Sequence, residues 1–208
     1  MTATAGRPRP PDAHSIGGHL RASLLFLVVM VLVTGFAYPL LVTEIASVIA
    51  PDTAGGSLLR YPGNGTVEGS SLVAQNLSAP FLFWERPSLS DYNLLNGAPS
   101  PPGPTEPGLA ALLNETIAYM KLYGNLTVNV TLPFWWVAPS GSSVDPHLVP
   151  EAVLIQVPRV ANATHLGIPF VQNLVNNHIV QPWIPYLGVA YVDVLQLDLA
   201  LYAITGMA

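Results

Sequence analysis

Four residues within one short stretch carry side chains that could perform acyl-transfer chemistry. Ser140, Ser143, Asp145 and His147 supply hydroxyl, carboxylate and imidazole groups, which are the groups of a serine hydrolase. A catalytic triad depends on adjacency in space, however, and residues this close along one turn rarely reach that geometry. The stretch therefore predicts a turn that precedes a helix rather than a hydrolase site.

The rest of the sequence offers no other catalytic or cofactor site. It has no cysteine, its five histidines show no metal-ligand spacing, and it contains neither a phosphate-binding loop nor a dinucleotide-binding glycine motif. We interpret His178, on an apolar helical face, as a core histidine. Asp193 and Asp198 would lie on opposite faces of a strand, so they are not interpreted as an acid–base pair. The sequence thus indicates a binding or assembly domain without catalytic residues or a metal.

One long apolar segment organises the chain. Residues 24–42 contain no charged side chain, and as a helix they would be about 28 Å long, close to the thickness of a bilayer core. We predict a transmembrane helix at residues 20–42, a cytoplasmic disordered tail at 1–19 and one extracytoplasmic domain at 43–208. A cleaved signal peptide is the alternative, but its apolar region is usually shorter than this one.

Charge fixes the predicted orientation. Three arginines precede the span, whereas the first charges after it are Glu44 and Asp52, so the N-terminus is expected in the cytoplasm and the domain outside the cell. Beyond the span, four basic residues face eleven acidic ones, a net charge of −7. This acidity argues against nucleic acid as a partner and against an anionic lipid surface. Charged residues are only 9% of the chain, which predicts a weak dependence of stability on pH.

The span contains a small-residue face that could pack against other membrane helices, since close approach drives helix association in lipid. The residues predicted to form this face, with its boundary, are Thr34, Gly35, Ala37, Tyr38 and Pro39. Pro39 is expected to kink or end the helix.

Asparagine-linked glycosylation is predicted from an excess of Asn-x-Ser/Thr sequons, all beyond the span. The six candidate asparagines are Asn64, Asn76, Asn114, Asn125, Asn129 and Asn162.

Apolar spacing, proline and glycine predict a single loop-rich α+β domain. The predicted helices run from Gly108 to a stop at Gly124, from Pro150 with a break or restart at Pro158, and from Pro169. The predicted strands are turn-linked pieces within 55–69, a short aromatic strand at 81–84, an alternating strand at 126–132, and a strand at the start of 189–201 that could finish as a helical turn. Residues 96–107 read as an extended loop.

Several short motifs, in order along nearly the whole chain, resemble those of one family, the C subunit of the Kdp-type potassium-transporting P-type ATPase. Residues 34–40 (TGFAYPL), 69–75 (GSSLVAQ) and 86–88 (RPS) are similar to its TG-x-x-YPL, GS-x-LIGQ and GRPSA patterns. Residues 103–107 (GPTEP), 140–152 (SGSSVDPHLVPEA), 156–161 (QVPRVA) and 192–201 (VDVLQLDLAL) resemble further family segments. The departures include Val149 in place of a helix-capping serine, and Asp193 and Asp198 where asparagine is usual.

The resemblance implies a non-catalytic accessory subunit of a high-affinity potassium uptake pump. Its implied partners are a potassium-channel-like subunit, a P-type ATPase subunit and membrane lipid. The family is described as raising nucleotide affinity, so ATP is implied, but direct ATP binding conflicts with an outward-facing domain that has no phosphate cradle. The alternative function is a membrane-anchored extracellular glycoprotein with a hydrolase or adhesive role.

The matched motifs supply the candidate partner-interface or structural residues of the domain. They are Arg86, Pro87, Ser88, Ser140, Gly141, Asp145, Pro146, Gln156, Arg159 and Asp193. Internal ion pairs of both Arg86 and Arg159 with carboxylates are the alternative interpretation, because arginines in a low-charge domain are often buried as pairs.

Overall fold

The computed structural model describes residues 16–96, 101–124, 126 and 129–206. These residues form two compact units that divide between Gly55 and Gly56. We refer to the second unit, from Gly56 onward, as the C-terminal domain.

The first unit is a continuous helix of 34 residues, Ile16–Ile49. It comprises α1 (Ile16–Leu32), a π-helical turn (Val33–Ala37) and α2 (Tyr38–Ile49), and the short α3 (Pro51–Ala54) follows it. By length and composition the helix could cross a membrane, and none of its most apolar 18 residues is buried. Such a surface requires lipid or another helix to cover it. The helix extends beyond both ends of the predicted 20–42 segment.

Pro39 does not end the helix, contrary to one of the two outcomes predicted for it. A proline has no N–H to donate and its ring clashes with the carbonyl four residues earlier, here that of Gly35. The π-helical turn lies immediately before Pro39, and the Tyr38 N–H bonds to the Val33 carbonyl, five residues back. This wider turn lets the helix continue past the proline.

The C-terminal domain combines two small antiparallel sheets with six α-helices and one short 3-10 helix (Leu94–Asn96) among its described residues. The β1–β2 hairpin (Leu58–Arg60 and Val67–Ser70) opens the domain. A three-stranded sheet in the order β3-β5-β4 joins His147–Leu148, Tyr191–Asp193 and Ile179–Val180. The helices are α4 (Pro107–Tyr123), α5 (Phe134–Val137), α6 (Pro150–Leu154), α7 (Val157–Thr164), α8 (Ile168–Asn177) and α9 (Val194–Thr205). This mixture confirms the predicted α+β composition.

The predicted helices of the domain are confirmed. α4, α6, α7 and α8 each carry a proline at the first or second helical position, where a missing N–H costs nothing. α4 ends before Gly124, and α9 ends at Gly206, whose φ of 66° is readily adopted by glycine. The last segment begins as strand β5, as predicted, but continues as a full helix of 12 residues rather than a turn.

Two predicted strands are wrong where the structure describes them. Residues 81–84 join no sheet, although Phe83 and Trp84 are buried. Residues 129–132 form a turn and coil, and residues 125, 127 and 128 lie outside the described residues. The burial pattern predicted for this segment nevertheless holds, because Leu126, Val130 and Leu132 pack in or against the core. The alternation of apolar and polar side chains therefore predicted the buried residues correctly, but it predicted a strand that the described residues do not form.

One core holds the domain together. Its fully buried large side chains come from residues 81–84, from α5, from the three-stranded sheet and from α9. They include Phe83, Trp136, Leu148, Leu197 and Leu201. These residues are far apart in sequence, so the core forms only when the whole domain folds.

The start of α9 depends on Asp193. Its carboxylate accepts hydrogen bonds from the Gln196 backbone N–H and side-chain amide, both at 2.9 Å. Replacing Asp193 with alanine is expected to lower the free energy of unfolding by about 1–2 kcal/mol, the usual cost of a lost N-cap. Urea unfolding followed by fluorescence measures the change. Asp193→Asn is the matched control and should cost only a few tenths of a kcal/mol, since asparagine caps equally well; equal losses in both variants would contradict the capping role.

Candidate functional site

Residues 79–86, which we call the central segment, are the part of the domain on which the motif residues converge. Two of its backbone N–H groups donate to side chains instead of to a neighbouring strand. The Phe83 N–H donates to Asp198 Oδ1 at 3.0 Å, and the Trp84 N–H donates to Gln156 Oε1 at 2.7 Å. Buried backbone groups must find a partner, and these two partners explain why the segment needs no sheet.

Gln156 makes hydrogen bonds to several groups in and around the central segment. It is fully buried at the start of α7. Besides accepting from the Trp84 N–H, its amide donates to the carbonyls of Trp84 at 3.1 Å and of Ala152 at 3.2 Å. One side chain thus holds both backbone groups of Trp84. The Trp136 indole N–H also donates to the Trp84 carbonyl, at 3.2 Å.

Arg159 is buried and clamps the other end of the central segment. Its guanidinium donates to the Pro80 carbonyl at 2.6 Å and to Gln156 Oε1 at 2.7 Å. It also lies 4.6 Å from the centre of the Trp84 ring, a cation–π distance. Burial lowers the pKa of Arg159 to about 10, so it stays charged at neutral pH. Within the described residues it makes no direct ion pair, and its hydrogen bonds go to the central segment and to Gln156.

Arg86 forms an internal ion pair, which was the alternative interpretation of both arginines. Its guanidinium lies 3.4 Å from Asp145 Oδ2 and donates at 3.0 Å to the carbonyls of Ala138 and Pro139. Pro87 and Ser88 follow as half-buried residues outside any regular element, and Ser88 Oγ accepts from the Tyr92 N–H at 2.9 Å. The arginine therefore ties the central segment to the loop before β3.

Ser140, Asp145 and His147 come together without forming a hydrolase triad. Ser140 is buried and its Oγ accepts from the Asp145 N–H at 3.4 Å, while Asp145 Oδ1 lies 3.0 Å from His147 Nδ1. Among the described residues, no hydrogen bond joins either Ser140 or Ser143 to His147. The serine hydroxyl therefore has no base to activate it, and the arrangement is a turn, as the sequence predicts.

The remaining residues of this loop are split between surface and interior. Gly141 is exposed, whereas Pro146 is buried and its carbonyl accepts from the Val194 N–H at 3.2 Å. This bond fixes the loop to the first residue of α9.

The Asp145–His147 pair predicts a measurable coupling. The hydrogen bond that the His147 ring makes to the Asp145 carboxylate holds the pKa of His147 above its ordinary value, against the opposing effect of burial. Asp145→Asn is therefore expected to lower the pKa of His147, because the carboxylate charge is lost. An NMR titration of the His147 ring protons measures the shift. Asp91→Asn, at an exposed aspartate that makes no contact with His147, is the control, and an unchanged titration of His147 in Asp145→Asn would refute the coupling.

Two buried carboxyl groups complete the surroundings of the central segment. Glu85 is only 4% exposed, and its Oε2 accepts from the Gln75 N–H at 2.6 Å, while Oε1 has no partner. Burial raises the pKa of Glu85 to about 9. Asp198 is fully buried, its Oδ2 also has no partner, and burial raises its pKa well above the ordinary value. Glu85 is therefore protonated at neutral pH.

The segment 69–75 forms the corner that presents Gln75 to Glu85. A Cβ atom on Gly69 would collide with the Gln75 amide, which donates to the Glu68 carbonyl at 2.8 Å. Glycine at position 69 therefore leaves room for this hydrogen bond, because a larger residue would displace the Gln75 amide. The Ala74 N–H donates to the Val144 carbonyl at 2.8 Å, which ties this corner to the loop before β3.

A cavity of about 540 Å³ lies between α4 and residues 76–92. Aromatic and acidic side chains line it, among them Trp84, Asp91, Glu115 and Tyr119, and no lysine or arginine does. Such a lining disfavours a phosphorylated ligand. No group of three or more metal-ligating side chains occurs among the described residues.

The predicted packing face of the long helix lies around its π-helical turn. Thr34 Oγ1 donates to the Met30 carbonyl at 2.7 Å, and a Cβ on Gly35 would meet open space. The side chains of Ala37, Tyr38 and Pro39 are exposed within this chain.

Five of the six sequon asparagines fall within the described residues, and all five are exposed. Asn125 lies outside the described residues. Asn114 and Asn162 are within helices α4 and α7, whereas Asn64, Asn76 and Asn129 lie in turns or loops.

Sequence reasoning did not identify Glu85, Trp84 or Asp198 as members of the site. A carboxylate inside the apolar runs FLFWER and LQLDLAL was the available signal, since a charge in such a setting is rarely solvated. Only the fold shows that both acids border the same segment.

Comparisons with known proteins place the chain in a family. Residues 20–203 match the family model KdpC, described as the K+-transporting ATPase, c chain. The potassium-transporting ATPase KdpC subunit of Ralstonia nicotianae is 39% identical over 202 residues, covering 96% of this chain and 98% of the relative. That of Pseudomonas aeruginosa is 42% identical over 182 residues, covering 88% and 95%. The chain therefore belongs to the KdpC family, the non-catalytic c chain of the K+-transporting ATPase.

Proposed function

We propose that this chain is an accessory subunit of an ATP-driven, high-affinity potassium uptake complex, in which it stabilises the channel-like and ATP-hydrolysing subunits. The observation that carries the proposal is the family relationship over nearly the whole chain. An exposed apolar helix joined to a domain whose motif residues build an internal framework suits an assembly role.

The decisive experiment compares potassium-stimulated ATPase activity in membranes that carry the other subunits, with and without this chain. Activity is expected to be lost without it. A second arm replaces residues 24–41 with an unrelated apolar helix and asks whether the other subunits still co-purify. Full activity without the chain would contradict the accessory role, and unchanged co-purification of the replaced span would contradict a packing role for Thr34, Gly35 and Ala37.

We propose that the N-terminus is cytoplasmic and the C-terminal domain is outside the membrane, as the arginines before the span indicate. The absence of cysteine from the chain makes this simple to test. Ser142, an exposed residue of the domain, is replaced with cysteine in one variant, and Thr4 is replaced in another. A membrane-impermeant maleimide should label Ser142→Cys in intact cells and Thr4→Cys only after permeabilisation. The reverse pattern would overturn the topology.

The motif residues of the domain are proposed to act on partners indirectly. Because Gln156, Arg159 and Arg86 are engaged in holding the central segment, they shape the surface that partners meet. Arg159→Ala, checked for folding, should therefore lose assembly and stability together. Loss of activity in a folded and fully assembled Arg159→Ala would instead indicate direct tuning of the pump.

Any influence on ATP is likewise proposed to be indirect. The cavity between α4 and residues 76–92 presents carboxyl groups and no basic side chain, which opposes a triphosphate. Calorimetry of the full-length chain with magnesium–ATP should show no binding, whereas saturable binding would refute this proposal.

Glycosylation is proposed at the exposed loop sequons Asn64, Asn76 and Asn129. Thr164 of the Asn162 sequon is buried and bonds to the Val160 carbonyl, so that sequon is less accessible once the domain is folded. Glycopeptide analysis of native material should find sugar on at least one of the three. Unmodified asparagine at all of them would remove the proposal.

A further inference from the structure

The loop between β4 and β5, residues 181–190, carries the two most exposed aromatic side chains among the described residues. Trp183 is 95% exposed, Tyr186 is 86% exposed and Leu187 is 74% exposed. Several large aromatic and aliphatic side chains this exposed within one loop are unusual on a protein surface that contacts only water.

The loop has a defined conformation. The Leu187 N–H donates to the Ile184 carbonyl at 2.9 Å, which closes a turn. The Gly188 backbone lies against Pro182, because a Cβ on Gly188 would come within 2.8 Å of the proline ring. A hydrogen-bonded turn therefore holds the exposed side chains in place. The loop would lose little conformational freedom on binding another surface.

The loop is also free of charge, and so is the sequence around it. No aspartate, glutamate, lysine or arginine occurs from Val160 to Val192. Tryptophan and tyrosine with aliphatic neighbours and no charge are the composition of the bilayer interface, where an amphipathic ring sits at headgroup depth. Protein interfaces, by contrast, surround such anchors with polar groups and favour arginine.

We propose that residues 181–190 insert Trp183, Tyr186 and Leu187 into the interfacial region of the lipid bilayer. This inference rests on the proposed membrane anchoring, since a domain joined to a spanning helix meets lipid at a high effective concentration. The acidic remainder of the domain opposes contact with anionic lipid, so the contact is expected with neutral headgroups and through this loop. It gives the domain a second attachment to the membrane besides the helix.

Tryptophan fluorescence in nanodiscs tests the proposal with the full-length chain. The four tryptophans are Trp84, Trp135, Trp136 and Trp183, and none lies in the long helix. Nanodiscs of phosphatidylcholine with brominated acyl chains should quench the emission relative to unbrominated lipid. Trp183→Phe is expected to lose most of this quenching. Trp135→Phe, at a residue that is 60% exposed, is the matched control and should retain it.

The outcomes separate this inference from the proposed anchoring. A chain that incorporates into nanodiscs but shows no quenching, or keeps its quenching in Trp183→Phe, would overturn the loop insertion and leave the anchor intact. A chain that fails to incorporate would remove both. In nanodiscs holding the whole complex the quenching should persist; its loss there would show that a protein partner covers the loop, and would also overturn the proposal.

Discussion

Replacing Gln156 with leucine is expected to lower the free energy of unfolding of the C-terminal domain by about 3–6 kcal/mol. The leucine cannot accept from the Trp84 N–H or from Arg159, nor donate to the Trp84 and Ala152 carbonyls. Each buried group left unsatisfied costs about 1–3 kcal/mol, and more for a charged one. Because domains are stable by only about 5–15 kcal/mol, the variant should be close to unfolded.

Urea unfolding of the full-length chain in detergent measures this change, with the buried Trp84 as one of the reporters. Gln172→Leu is the matched control, since Gln172 is an exposed glutamine of α8 and should change stability by less than about 0.5 kcal/mol. A Gln156→Leu chain as stable as the control would show that the central segment is held by packing alone.

Raising the pH from about 5 to about 9 is expected to destabilise the domain by several kcal/mol. Burial raises the pKa of Glu85 to about 9 from an ordinary value of 4.5. The folded state therefore keeps a proton that the unfolded state has released across this interval, and stability falls as pH rises. At about 1.4 kcal/mol per pKa unit, Glu85 alone accounts for about 6 kcal/mol when the interval is complete. Asp198 acts in the same direction.

Glu85→Gln isolates the contribution of this residue. The amide keeps an acceptor for the Gln75 N–H but cannot ionise, so urea midpoints at about pH 5, pH 7 and pH 9 should vary less than in the wild-type chain. Glu151→Gln, at an exposed glutamate of α6, should follow the wild-type profile. Identical profiles for wild-type and Glu85→Gln would mean that Glu85 ionises as freely in the folded domain as in the unfolded chain.

This expectation replaces the weak pH dependence predicted from the low charge content. The number of charged groups sets how many can titrate, but burial sets how far each pKa moves. Two carboxyl groups shielded from solvent change the stability with pH more than many exposed ones do. Composition does not show that these two groups are buried.

Much of the molecule was determined by local sequence. The long apolar run predicts the helix, and the prolines at the starts of α6 to α8 and Gly124 after α4 predict helix boundaries, because these effects act within a turn or two of the residue. The ordered motifs identified the family. Even the ion pair of Arg86 was among the interpretations that the scarcity of basic residues allowed.

Tertiary structure decided how the central segment is held and where the acids lie. Residues 81–84 have the composition of a strand, but the partners of Phe83 and Trp84 are side chains 115 and 72 residues away in sequence. Residues 129–132 likewise alternate between apolar and polar side chains as a strand would, yet they are not paired with another strand. Composition and alternation report which side chains are buried, whereas the choice between a strand partner and a side-chain acceptor depends on what the folded chain brings within about 3 Å.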